Sequence, residues 1–160
     1  MSLVELSSIL WRQRDMLELL LFKLEEEQLV LAAGRTRWLA HATREVEMVL
    51  DQIRLTEVLR AAEVAVVGTD LGLGPDASLS ELADAVDAPW SELLRQHRQT
   101  FLALTAEISA LAEVNQELLT AGQRAVRETL TLVAGSAQTY GRRGETVAAA
   151  PRTRLIDEAM

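Results

Sequence analysis

Residues 89–134 read PWSELLRQHRQTFLALTAEISALAEVNQELLTAGQRAVRETLTLVA, a stretch with Pro89 at its start and a single glycine, Gly122, inside. Its apolar residues recur at three-four spacing: Leu94, Phe101, Leu104, Ile108, Leu111, Leu118, then Ala125 and Leu132. His97, Asn115, Gly122 and Thr129 occupy positions of the same stripe. Such a seam belongs to a helix that buries one narrow face against other helices. At a rise of 1.5 Å per residue the helix would be roughly 65–70 Å long, far beyond the usual globular helix of about 11–12 residues. A helix of this length needs long partners, and the rest of the chain is read first for them.

The N-terminal third supplies one. Ser2 and Glu5 have the spacing of a capping box, and behind them Leu3, Leu6, Leu10, Leu17, Leu20, Leu24 and Leu31 form a seam that Gln13 and Glu27 interrupt. Ile9, Trp11, Met16, Leu21 and Phe22 widen the apolar face beyond two positions in seven, which suits a bundle interior. Gly34 is the expected C′ residue, and Thr36 is available to cap the next helix. That helix carries Leu39, Ala42, Val46, Val49 and Ile53, then Leu55, Leu59 and Ala62 on a slightly rotated stripe. A hairpin is preferred to one continuous rod through Gly34, because a rod would leave its apolar face unburied.

Gly68, Gly72, Gly74 and Pro75 break the pattern and predict a loop or hinge. Ser78-Leu79-Ser80-Glu81 is a second capping-box sequence, opening a short helix with Leu79, Leu82 and Val86. Ala88-Pro89 ends it and starts the long helix. Gly135-Ser136 is a natural stop, and the tail beyond it has no sustained period, so it is expected to be flexible. The reading is therefore all-α: an elongated antiparallel bundle, with helices near 2–33, 36–66, 79–87 and 89–134 in one domain and a tail over 135–160.

Composition narrows function mainly by exclusion. A formal net charge of −8 opposes nucleic-acid binding, which needs a positive footprint. With no cysteine, disulfides, thiolate metal sites and cysteine nucleophiles are excluded. The start Met1-Ser2-Leu3-Val4-Glu5 has no signal-peptide pattern, and Leu19–Phe22 is too short an apolar run to span a bilayer. These features predict a soluble cytoplasmic protein. Among the 16 basic residues Lys23 is the one lysine, which points to a GC-rich, bacterial genome.

No enzyme emerges. The residues three before His41 and His97 are Trp38 and Leu94, so the Glu-x-x-His pairs of a di-iron bundle are missing. Phosphotransfer would need an exposed, activated histidine; His41 is the candidate, and nothing beside it marks it as a phosphoacceptor. Glu25-Glu26-Glu27 reads as a solvated helix face. No cofactor is implied.

Asn115 has two readings. A buried asparagine can fix register in a seam, or the seam is open there and the amide meets water or a partner. Gly122, Ala125 and Thr129 stand where leucines stood earlier, so self-packing weakens toward the C-terminus. A shallow apolar face of this kind can dock another helix. Leu111, Asn115, Leu118, Leu119, Gly122, Val126, Leu130 and Val133 are the candidate binding residues. Exposed apolar surface around Leu118, Leu119, Val126 and Leu130 also predicts weak homodimers. Tyr140, just past the expected stop, is a candidate anchor for a transient partner or a local plug over the bundle end.

The segment from Leu17 to Arg60 resembles the FlgN family, flagellar export chaperones for hook-associated proteins. The resemblance rests on Glu26-Glu27-Gln28, the break at Gly34, and Trp38-Leu39 leading into Thr43-Arg44-Glu45-Val46-Glu47. Val114-Asn115-Gln116-Glu117-Leu118-Leu119 resembles the asparagine-leucine segment of that family's last long helix, and Tyr140-Gly141-Arg142-Arg143-Gly144 the element after it. Together they cover most of residues 10–145; the loop at 68–75 and the tail beyond Glu145 depart from the pattern. The resemblance implies a cytoplasmic chaperone that binds helical terminal segments of hook-associated proteins and prevents premature assembly. It implies delivery to the export apparatus through the C-terminal region, which makes Tyr140 the expected contact. A self-assembling coiled-coil protein and a phosphotransfer bundle are the alternatives.

Overall fold

The computed structural model describes residues 2–139. Four helices follow in order, α1 (Ser2–Ala32), α2 (Thr36–Asp70), α3 (Leu79–Asp84) and α4 (Trp90–Thr139), with no strand among the described residues. The fold is the all-α helical bundle with a long C-terminal helix that the seams predict. The chain divides into two units, Met1–Leu118 and Leu119–Met160. Tyr140 and the tail after it lie outside the described residues.

In the first unit α1 and α2 form the expected hairpin. Gly34 adopts φ +64°, its N–H donates to the Leu31 carbonyl at 3.1 Å, and the Arg35 N–H donates to that of Val30 at 3.1 Å. This is a Schellman stop, with glycine at the left-handed position. Thr36 does not cap α2: it is the first helical residue, and Arg35 stands at the N-cap without a side-chain bond. Contacts between Lys23 and Glu45 at 3.0 Å and between Gln13 and Glu57 at 2.6 Å show the antiparallel register.

α2 runs to Asp70, past the expected end near Val66. Val64, Val67 and Gly68 are buried, so the inward stripe continues and helix is the conformation that keeps it facing the core. The stop moves to Gly72 (φ +73°), where Gly72 N–H reaches the Thr69 carbonyl at 3.1 Å and Leu73 N–H reaches that of Gly68 at 2.7 Å. α3 opens with the predicted capping box: the Glu81 N–H donates to Ser78 Oγ at 3.2 Å and the Ser78 N–H to Glu81 Oε2 at 2.7 Å. It ends at Asp84, before Val86, and the chain turns into α4, whose first helical bond runs from Leu93 N–H to the Pro89 carbonyl at 3.1 Å. α4 does not stop at Gly135-Ser136 but continues to Thr139. Helical glycine costs only about 1 kcal/mol, too little by itself to end a long helix.

Two apolar clusters hold this unit. One gathers Leu6 and Leu10 of α1, Val64 and Val67 of α2, Leu79, Leu82 and Ala83 from α3, and Leu94 of α4. Leu6, Leu10 and Leu82 are fully buried, each contributing roughly 1.5–3 kcal/mol of transfer free energy. The other joins Leu20, Leu24, Val46 and Val49, with Ile108 and Leu111 packed against it. α4 therefore lies beside both hairpin helices and runs parallel to α1. Gln13, set in the α1 seam, is buried and donates to Glu57, whose carboxylate also holds Arg60.

Leu55, Leu59 and Ala62 do not continue the α2 core stripe. They are exposed, while Thr56, Val64 and Val67 turn inward. The helix keeps its straight 3.6-residue period, so the core stripe passes to those positions instead.

Candidate functional site

The eight candidate binding residues, Leu111 to Val133, all lie on α4 and divide into two environments. Asn115 is 3 % exposed; its Nδ2 donates to the Leu24 carbonyl at 2.9 Å and to Glu27 Oε1 at 3.1 Å. Glu27 in turn accepts from Thr43 at 3.2 Å. Asn115 is thus a buried polar clamp linking α4, α1 and α2, not a wet amide in an open seam. Glu27 correspondingly has a structural role, whereas the sequence suggested a solvated run. Leu111 and Leu118 are half-buried in the same unit.

From Leu119 the environment changes. Leu119 is half-buried, and every residue from Thr120 to Ala134 is exposed. Val126, Leu130 and Val133 are 58 %, 59 % and 62 % exposed, and an added Cβ at Gly122 would meet nothing within 4 Å. Their positions share one face. A straight helix drifts about 20° per heptad relative to a strict seven-residue repeat. Over this segment the face is therefore Leu119, Gly122, Val126, Leu130 and Val133, at steps of three and four, rather than Ala125, Thr129 and Leu132. The nearby polar groups Thr129 and Thr131 donate to the carbonyls of Ala125 and Arg127 on their own helix, each at 2.9 Å. What this segment offers is an apolar helix face beside which the Thr129 and Thr131 hydroxyls are satisfied within the helix.

The histidines carry no reactive geometry. His97 is 1 % exposed, edge-on to Trp11 with ring centroids 4.8 Å apart and stacked on Phe101 at 5.8 Å. Neither ring nitrogen has a hydrogen-bond partner. Burial, assisted by the Arg14 charge, holds its pKa below the ordinary value of 6.5, so the ring is a neutral core side chain. His41 is exposed beside Trp38, with centroids 5.7 Å apart.

One feature of the first unit escaped the sequence pattern. An open groove of about 710 Å³ lies between α2 and α4, lined among others by Arg60, Val64, Ala77, Arg98, Phe101 and Leu102. Its signal was the run of small residues Thr105, Ala106 and Ser109 beside the α4 seam, which leaves room against Ala61.

Among the described residues no group of histidine, aspartate and glutamate could hold a metal ion. No helix among them is long and apolar enough to cross a membrane. No curated protein and no solved structure shows a significant match to the chain. The family model for FlgN protein matches residues 1–148, which includes the loop at 68–75. With that match across nearly the whole chain, and with the all-α bundle and long final helix in place, the chain belongs to the FlgN family of flagellar chaperones.

Proposed function

We propose that this chain is a cytoplasmic, non-enzymatic export chaperone that captures helical terminal segments of hook-associated proteins on the exposed face of α4. Leu119, Gly122, Val126, Leu130 and Val133 form the docking surface. The observation that carries this reading is the apolar face that α4 shows beyond Leu119, where Val126, Leu130 and Val133 are 58 %, 59 % and 62 % exposed among residues that are exposed one after another. An amphipathic helix laid on such a face buries its own assembly surface and stays soluble. Folding the cargo segment on binding costs several kcal/mol, which keeps affinity low enough for release. Tyr140 contacts the export apparatus.

The test is a titration of the purified chain against terminal segments of hook-associated proteins, followed by calorimetry. Val126→Ala with Leu130→Ala should weaken binding about 10-fold or more, because each truncation removes roughly 1 kcal/mol or more of buried contact. Tyr140→Ala should leave that affinity nearly unchanged and reduce motility in cells. Unchanged affinity in the Val126/Leu130 variant, or loss of cargo binding in Tyr140→Ala, would overturn the assignment.

A further inference from the structure

The tip of the α1–α2 hairpin carries a charge opposite to that of the chain as a whole. Residues 28–44 contain Arg35, Arg37, His41 and Arg44 and no carboxylate, in a chain whose formal net charge is −8. All four of these side chains are exposed, as is Trp38. The Arg37 guanidinium lies over the Trp38 indole, 4.8 Å from the ring centroid, and the His41 ring is centred 5.7 Å from it. Arg14, Lys23, Arg54, Arg60 and Arg95 each hold a carboxylate. Among the described residues no carboxylate pairs with Arg35, Arg37 or Arg44.

We propose that this hairpin tip is a membrane-docking surface, which adsorbs the chain to anionic lipid headgroups without inserting a helix. Helical period places Arg37, His41 and Arg44 together, at steps of four and three. That side of α2 is opposite the core positions Ala42, Val46 and Val49. Trp38 stands at its edge, and the contacts with Arg37 and His41 hold its ring to the same side. Exposed arginine beside exposed tryptophan suits a lipid interface: the guanidinium bonds phosphate in a fork, and the indole settles at headgroup level. The outer face of a helix is convex and has no walls to enclose a peptide, whereas a plane of phosphates meets it without enclosure.

The acidic body opposes such adsorption, and distance limits the opposition. Glu25, Glu26 and Glu27 precede Gly34 by seven to nine residues, roughly 10–14 Å along α1. That is a Debye length or more at physiological salt. Lys23 holds both Glu26 and Glu45 at 3.0 Å, and Glu47, about one turn past Arg44, closes the cluster. Repulsion is therefore screened where the attraction acts, and the resulting adsorption is weak, reversible and sensitive to salt. The proposal uses no residue of the cargo face and does not rest on that assignment.

Flotation of the purified full chain with vesicles of phosphatidylglycerol and phosphatidylcholine in equal parts tests this. At about 50 mM salt the chain should float with these vesicles and not with pure phosphatidylcholine, and about 500 mM salt should release it. An arginine beside an anionic surface is worth about fivefold in partitioning. Arg35→Ser, Arg37→Ser and Arg44→Ser together should therefore lower the partition coefficient on the order of 100-fold. Arg12→Ser, Arg95→Ser and Arg98→Ser change the net charge equally and should lower it by no more than about threefold, being remote from the surface. All six arginines are exposed, so helical circular dichroism should persist in both variants. Tryptophan emission should shift to the blue when the vesicles are added, and Trp38→Phe should remove the shift. Absence of flotation at about 50 mM salt, an equal loss in the two triple variants, or a blue shift that survives Trp38→Phe overturns the proposal. Soluble polyglutamate binding at the tip where the vesicles do not bind would assign the surface to an acidic polypeptide and overturn it equally.

Discussion

Replacing Gly68 by alanine sets two known effects against each other. Gly68 lies within α2 and is buried, and glycine in a helix is worth about 1 kcal/mol less than alanine. On helix propensity alone Gly68→Ala stabilises. The surroundings oppose it: a Cβ at Gly68 would stand 2.6 Å from the Gly74 carbonyl oxygen and 3.5 Å from the Ala77 Cβ. The oxygen belongs to backbone and cannot rotate away. The loop must then retreat, straining the 2.7 Å bond from Leu73 N–H to the Gly68 carbonyl and pulling Leu73 and Ala77 from the first core cluster. Overpacking costs about 1–3 kcal/mol, toward the upper end of that range where the obstacle is backbone, so after the gain of about 1 kcal/mol the net loss is about 1–2 kcal/mol. For a chain of this size that lowers Tm by roughly 2–8 °C, read from thermal unfolding by circular dichroism. Gly122→Ala is the control. Nothing lies within 4 Å of its Cβ position, so only propensity acts, and amide exchange across residues 119–134 should slow. A Gly68→Ala chain as stable as the native one would refute the close approach of loop and helix.

Two further outcomes follow from the core. Because burial depresses the His97 pKa, the unfolded chain binds its proton first as pH falls below 6.5. His97 therefore permits full stability above 6.5, and stability declines from there toward its lower folded pKa. His97→Leu should flatten that part of the stability–pH curve in urea melts; an unchanged slope would show that His97 is not buried in the folded chain. Ser78→Ala removes the side-chain cap of α3 and should cost about 1 kcal/mol. Since Leu79, Leu82 and Ala83 sit in the core, the loss should appear in the global melt, and Ser78→Asp should recover most of it.

Local chemistry decided much of this architecture before any packing was known. Gly34 as the hairpin stop, the Ser78–Glu81 capping box and the α4 stripe from Leu94 to Leu118 depend on backbone conformation, on hydrogen bonds a few residues apart and on helical period. Each of these is written within a short window of sequence. The resemblance of the segments around Gly34 and Asn115 to the FlgN family was legible for the same reason. The division of α2 into two faces was not. Leu55 and Leu59 are as apolar as Val64 and Val67, and only the positions of α1, α3 and α4 determine which pair is covered. Asn115 was ambiguous because its burial depends on the Leu24 carbonyl and Glu27, which are remote in sequence. Gly68 read as a loop residue, since nothing local reveals that the Gly74 backbone will press against a helix at that point. Period and caps belong to the chain itself, whereas burial is a property of neighbours that distant segments supply.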